Sequence, residues 1–401
     1  MREVFLMDRR TFLVSAGIMA AFTSIPFIRR LSPPKPTIIN DAYSLWYNRP
    51  AIAEVSGGFC FGYVTTAGEV RVAEINDQLL VGRVSRIHKY EGSSDHGSPS
   101  LLKVPSGQYA GHILACFSKH VTPLLCARTT RPGDIGAWEQ SRVIDTGRST
   151  YVSLAALPDG KIVLMHTLQE ETGQELSSKW RRVVARITED GGDTWSEPIL
   201  IADLGATTFP YSTPLTVSAE GRCAMTYAVY SSTKNRHQGL TVVVTEDAFK
   251  TKIEISIDLG KAALLDTIPY ETKWVSASVV AVSYSEASDS YKEGFSRMLL
   301  VDVNKRLVIS NLPISQVAVH TYAGGAAVGD GGRSVVYSPV GGGLAQKSIE
   351  TGEVTTLMDS GQFSSPWQFT VNGKSMITAL KKPVIKTTKV FSADIFIMPV
   401  L

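Results

Sequence analysis

The sequence predicts an all-β fold, and three observations predict it. From about residue 50 onward, short stretches of alternating apolar and polar residues are separated by Gly, Asp, Asn and Pro turns, with no amphipathic helical period among them. The stretches come in similar packets about fifty residues apart, the size of a four-stranded blade. One packet ends in Thr188-Glu189-Asp190-Gly191-Gly192-Asp193-Thr194-Trp195, which fits the Asp-box pattern Ser/Thr-x-Asp-x-Gly-x-Thr-Trp. Together these predict a seven-bladed β-propeller of four-stranded blades, one domain over residues 37–401, preceded by an export or anchor segment over 1–36.

Each element has a local cause. Phe61–Thr66 before Ala67-Gly68, Ser153–Leu157 before Pro158-Asp159-Gly160, and Leu240–Thr245 read as strands ending in turns. Packets open on a Ser-Pro or a relative of it, at Ser98-Pro99, Thr213-Pro214 and Ser365-Pro366. Turns bearing Gly107, Gly221 and Gly373 follow. In the Asp box, the carboxylate and hydroxyls bond backbone amides of the turn, Gly supplies an unusual φ, and Trp packs between sheets. Thr245-Glu246-Asp247-Ala248-Phe249-Lys250-Thr251 reads as a worn copy. The device is structural, so Asp190 and Asp247 are assigned no chemistry.

The first thirty residues differ from the rest. Asp8-Arg9-Arg10-Thr11-Phe12-Leu13 precedes an apolar run over 12–28, and Pro33-Pro34-Lys35-Pro36 follows. A twin arginine before a moderately apolar run reads as a bacterial twin-arginine export signal, which places the protein in the periplasm or outside the cell. No clear Ala-x-Ala site follows, so a membrane tether through 12–28 stays open beside cleavage. The 40 basic and 37 acidic residues are interspersed, with a net charge of +3 and no basic stripe, which sets nucleic acid aside. Cys60, Cys116, Cys126 and Cys223 lack Cys-x-x-Cys spacing and read as buried free thiols; a Cys116–Cys126 disulfide across a hairpin is the alternative.

In a propeller, ligands meet the inner-strand ends and loops around the axis, so the search is for polar residues at those ends. His96 immediately precedes the strand Ser100–Val104, and His120 follows the returning strand Ile113–Phe117. Tyr151 opens the next packet and Tyr211 the one after. Arg181 and Arg182 enter a strand between them, on alternate faces, so at most one reaches the site. Two His, two Tyr and an Arg suffice to take a proton from a carbon next to a carboxylate: Arg neutralises the acid, while Tyr or His serves as base and acid. That scheme needs no cofactor or metal.

The order of Asp95-His96-Gly97-Ser98-Pro99, Phe117-Ser118-Lys119-His120, a Tyr-opened packet, an Arg before an Asp box and Pro210-Tyr211 resembles the BNR-repeat propellers that include ulvan lyases. It is similar as well to related rhamnose–glucuronate lyases and rhamnosidases. The resemblance runs from Trp46-Tyr47-Asn48-Arg49-Pro50 to about residue 255. It implies β-elimination at a uronic acid of an acidic polysaccharide by a monomeric enzyme, with His96, His120, Tyr151, Arg182 and Tyr211 as catalytic residues. Arg181 and His320, of His320-Thr321-Tyr322, would then bind substrate. Relatives can hold a structural zinc, although no ligand cluster here has the spacing for one. The chain departs from the pattern at Gly97, at Val152 after Tyr151, and in the longer segment Gln169–Lys179.

Two other function classes stay open. A sialidase-like or rhamnosidase-type hydrolase fits the fold, though the only relative of an early Arg-Ile-Pro is Ile25-Pro26-Phe27-Ile28-Arg29, in the wrong order. A non-catalytic carbohydrate-binding propeller would use the same His and Tyr without chemistry. His112, His166 and His237 read as structural or surface residues.

Overall fold

The computed structural model divides into two units, Met1–Pro33 and Pro34–Leu401. Residues 35–400 are described except 93, 171–179, 206–207, 232–235, 261–264, 289–293, 318–323 and 387–388. The twin-arginine segment and His320 lie outside the described residues. Among the described residues there is no α-helix, and no helix long and apolar enough to cross a membrane.

Strand β1 (Thr37–Ile39) comes first in the chain but belongs to the final sheet. A four-stranded meander follows, of β2 (Ile52–Val55), β3 (Gly58–Val64), β4 (Glu69–Asn76) and β5 (Val81–Lys89). Next comes one seven-stranded sheet of β6 (Ser100–Lys103), β7 (Ile113–Phe117), β8 (Thr122–Arg128), β9 (Arg142–Ala156), β10 (Ile162–Glu170), β11 (Trp180–Thr188) and β12 (Ile199–Asp203). The third contains β13 (Thr208–Ser212), β14 (Thr216–Val217), β15 (Cys223–Ser231), β16 (Arg236–Thr245) and β17 (Ile253–Ile257). The fourth is β18 (Asp266–Trp274), β19 (Val279–Ala287), β20 (Gly294–Asp302) and β21 (Leu307–Val317). The fifth is β22 (Ala326–Val328), β23 (Ser334–Tyr337), β24 (Leu344–Ser348) and β25 (Val354–Met358). The last comprises β26 (Phe363–Val371), β27 (Lys374–Lys386) and β28 (Lys389–Pro399), with β1 paired antiparallel to β28 at its outer edge.

Hydrogen bonding thus defines six sheets among the described residues, where the packet spacing predicts seven equal units. The difference lies in β9, whose first half pairs with β8 (Leu124 opposite Asp145) and whose second half pairs with β10 (Ile162 opposite Ala156). One fifteen-residue strand serves two meanders and fuses them.

The innermost strands pack in succession: β2 on β6, β6 on β9, β9 on β14, β14 on β18, β18 on β22 and β22 on β26. Phe59 meets Phe369 at 5.6 Å between ring centroids, which joins the first meander to the last sheet. Burial explains the composition. Strand β3 is buried at every residue and reads as a continuous apolar run, whereas the edge strand β5 is mostly exposed and carries Arg and Lys. Gly62 in β3 permits the close approach, because a Cβ there would stand 2.6 Å from the Pro99 ring.

Both Asp-box turns form. Asp190 accepts the Thr194 amide and the Thr188 and Thr194 hydroxyls at 2.5–3.0 Å. In the worn copy, Asp247 accepts the Thr251 amide and the Thr245 and Thr251 hydroxyls, each at 2.8 Å. All four cysteines are free and buried. Cys116 and Cys126 are opposite each other in β7 and β8.

Ala42 to Arg49, between β1 and β2, forms no strand yet is buried at every residue. A buried loop must satisfy its backbone, and bonds from this one reach neighbouring elements. Tyr43 exchanges both backbone bonds with Val64, Ala42 donates to the Ala393 carbonyl, and the Pro50 carbonyl accepts from the Leu101 amide. Its side chains join distant sheets. The Arg49 guanidinium donates to the Ser365 and Pro366 carbonyls at 3.2 and 3.0 Å and lies over the Trp367 ring, and the Ser153 hydroxyl donates to the Arg49 carbonyl at 2.7 Å. Burial holds the Arg49 pKa down to about 9 against the pull of Glu271, whose own carboxyl is raised by burial.

Candidate active site

Two adjacent residues in the turn before β6 begin the site. Asp95 Oδ1 lies 2.6 Å from His96 Nδ1, and both side chains are buried. A carboxylate at that distance selects the Nδ1–H tautomer, which puts the ring lone pair on Nε2. His120, which is exposed, brings its ring to 4.4 Å from that of His96. The hairpin therefore does bring its two terminal histidines together, one buried and one open to solvent.

Tyr151 sits at an irregularity in β9. The register runs from Met165 opposite Ser153 to Thr167 opposite Thr150, so Tyr151 and Val152 share one place across from His166. The extra residue makes a bulge, and Tyr151 adopts φ +56, rarely taken by a bulky side chain. Such strain concentrates at functional sites, where a bulge re-aims a side chain. The Tyr151 ring lies 5.4 Å from His96, 4.5 Å from Tyr47 and 5.4 Å from Tyr211. Burial raises its phenol pKa, while the charge of Arg181 and hydrogen bonding to Tyr211 and Arg181 favour the phenolate.

Of the two arginines entering β11, Arg181 is the one that faces Tyr151. It is buried, donates from Nε to Gln169 Oε1 at 3.0 Å, and rests over the Phe209 ring at 4.7 Å. No carboxylate among the described residues pairs with it. Arg182 points the other way, half-buried, with its guanidinium over Trp180. Its charge helps to lower Asp203, where burial works in the opposite direction and hydrogen bonds from Trp180 and Gly205 dominate. Alternation along the strand explains the split: Arg182 is register partner to Leu168, and Arg181 to Gln169.

Tyr211 in β13 continues the arc, with ring centroids 5.8 Å from Trp46 and 4.6 Å from His237. His237 opens a second acid–imidazole pair: its backbone N–H donates to Asp266 Oδ1 at 2.6 Å, and ring Nδ1 lies 3.0 Å from the same oxygen. The result is a continuous arc from His120 through His96, Tyr47, Tyr151 and Tyr211 to His237. Arg181 lies beside its centre.

Sequence reasoning missed three members. Tyr47 and Trp46 were quoted only as the start of a resemblance, and His237 was placed among structural residues. Its partner Asp266 is 29 residues away in the next sheet, so no local pattern links them. Gly97 has a steric reason: a Cβ there would stand 2.8 Å from the Tyr90 ring. His112 is held by the Thr129 carbonyl at 2.6 Å, and His166 by the Ser149 hydroxyl at 3.2 Å, both outside the arc. No cluster of three His, Cys, Asp or Glu able to hold a metal occurs among the described residues.

No protein-family model and no curated protein matches the chain. Among solved structures it is similar to a PL25 ulvan lyase, with a TM-score of 0.66 at 11% identity over 92% of this chain and 95% of that one. The same enzyme bound to -[GlcA(1-4)Rha3S]- gives 0.65 at 10% identity, over the same shares of the two chains. An α-L-arabinanase from Penicillium chrysogenum gives 0.50 at 12% identity, over 91% of this chain and 99% of that one. At these identities the likeness concerns the fold alone, and the chain has a β-propeller fold.

Proposed function

We propose that this chain is a polysaccharide lyase that cleaves a uronic-acid-containing polysaccharide by β-elimination. The observation that carries the reading is the meeting of Tyr151, Arg181 and the Asp95–His96 pair on one buried arc. Arg181, with His120 at the open end, holds the uronate carboxylate and acidifies the hydrogen on C5. Tyr151 or His96 removes that proton, the C–H electron pair forms the C4–C5 double bond, and the C4–O4 bond breaks. The other residue of the pair delivers a proton to O4, so no cofactor is consumed. Tyr211 supports Tyr151.

A hydrolase that works through two carboxylic groups is less well supported. Asp95 and Asp266, the carboxylates paired with the arc's histidines, are each bonded to an imidazole, and neither is placed as an independent acid or nucleophile.

The same reading takes β9 as the outer strand of one blade and the inner strand of the next, which makes the propeller seven-bladed. It also takes residues 1–36 as an export signal, with the mature monomer in the periplasm or outside the cell and a tether through 12–28 as the alternative. N-terminal sequencing of the protein recovered from its native host separates cleavage from retention.

The test of the activity is ultraviolet absorbance during incubation with a panel of glucuronate- and iduronate-containing polysaccharides. A lyase yields a conjugated unsaturated product, and His96→Ala and Tyr151→Phe abolish its formation. Reducing ends released without that absorbance, or sugar bound without cleavage, would overturn the reading in favour of a hydrolase or a binding propeller.

A further inference from the structure

Beside the arc lies a residue that touches the backbones on both of its sides. Asn48 is fully buried in the loop between β1 and β2, and its amide reaches both halves of the site. Nδ2 donates to the His96 carbonyl at 2.7 Å and to the Ser98 carbonyl at 3.0 Å, with the Ser98 hydroxyl at 3.3 Å. Oδ1 accepts from the Val152 amide at 2.9 Å. Val152 follows Tyr151 directly, so this bond fixes the chain where Tyr151 takes its positive φ. The neighbouring Tyr47 stacks on the His96 ring at 5.1 Å and meets the Tyr151 ring at 4.5 Å, while its hydroxyl lies 3.4 Å from the Asp95 carbonyl.

We propose that Asn48 is a positioning residue, whose side-chain amide sets the separation and orientation of His96 and Tyr151 from beneath. His96 lies in the turn before β6 and Tyr151 in β9, with no backbone hydrogen bond between them, and β9 is locally irregular at Tyr151. A single rigid amide satisfies both backbones at once. Asn suits the place because it needs a donor toward two carbonyls and an acceptor toward one N–H. Displacement of a reacting group by about 1 Å costs on the order of 100-fold in rate.

This inference rests on reading His96 and Tyr151 as the proton-handling pair, and its test is chosen to separate the two. The variants are Asn48→Asp, which keeps the acceptor and shape but sets an oxygen against the His96 and Ser98 carbonyls, and Asn48→Ser, which shortens the group. On a cleaved polysaccharide, kcat falls about 100-fold with KM changed less than about threefold, because the reacting pair and not the substrate contacts is disturbed. The second readout needs no activity: NMR of ring-labelled histidine, with His96 assigned by its absence in His96→Ala. The His96 resonance moves in both Asn48 variants, whereas that of His112, held by the Thr129 carbonyl outside the arc, stays in place.

A fully active variant with an unmoved His96 resonance would overturn the proposal, as would loss of the cooperative fold in both variants, which assigns Asn48 to the scaffold alone. If the wild type cleaves no substrate, the proposed lyase activity fails while the NMR result still decides the role of Asn48.

Discussion

Tyr47 stacks on His96, with ring centroids 5.1 Å apart and planes 29° from parallel, and its other flank meets the Tyr151 ring edge-on at 4.5 Å. A residue of the loop between β1 and β2 thus packs against both groups assigned to proton transfer, whose own rings lie 5.4 Å apart. Tyr47→Phe keeps this ring packing while removing the hydroxyl and its long 3.4 Å contact to the Asp95 carbonyl, and activity stays within about threefold. Tyr47→Ala opens a void among Trp46, His96 and Tyr151, which lowers stability by about 3–5 kcal/mol. Urea unfolding monitored by tryptophan fluorescence measures that loss.

Arg181 and Arg182 provide a comparison within one strand. Arg181→Gln removes the positive charge beside Tyr151 and lowers kcat/KM by about 100- to 1000-fold. Arg182→Gln removes a charge stacked on Trp180 and leaves kcat/KM within about fivefold. Initial rates on one polysaccharide decide the matter, and equal losses in both variants would reject the assignment.

His166 makes the fold sensitive to acid. Burial depresses its pKa from 6.5 to about 4, with Asp145 opposing and Arg186 reinforcing the shift, and Nε2 has no hydrogen-bond partner among the described residues. Between these values the unfolded chain takes up a proton that the folded chain refuses. Stability is therefore complete above pH 6.5 and falls as the pH drops toward 4, by on the order of 3 kcal/mol at about 1.36 kcal/mol per pH unit. Urea midpoints compared at neutral pH and near pH 4 show this slope in the wild type, and a shallower one in His166→Leu.

Asp190 separates stability from chemistry. Burial works against its charge, but hydrogen bonds from Thr194 and Thr188 carry its pKa down to about 2. Asp190→Ala frays the hairpin turn between β11 and β12 and lowers the thermal midpoint, while initial rates at 25 °C stay within about twofold. A large loss of activity in a folded Asp190→Ala would show that this turn communicates with the arc.

Much of the fold was legible because propeller strands are local. The Ser-Pro openings, the strand alternation and both Asp boxes each lie within about ten residues, the range in which turn chemistry and period act. The histidine pair at the ends of one hairpin was legible for the same reason. The choice between Arg181 and Arg182 was not, because the long segment before β11 hides the register. The fusion through β9 was hidden by Asp145 and Gly147, whose 2.7 Å side-chain-to-backbone bond has the form of a turn but lies inside a continuous strand. The structural role of the loop Ala42–Arg49 was not legible, because the loop has no strand period. Its role comes from partners such as Ser365, 316 residues away, which no local pattern discloses.

That loop has a consequence for how the molecule is made. The ribosome synthesises Trp46–Arg49 early, yet Arg49 finds its carbonyl acceptors only when Ser365 and Pro366 exist, and β1 finds β28 later still. Arg49 and β1 therefore wait without these partners until nearly the whole chain has been translated. Contacts of such long sequence separation form slowly. Nascent chains stalled before residue 363 leave this segment open to a chaperone or a protease, and the last sheet to emerge covers it.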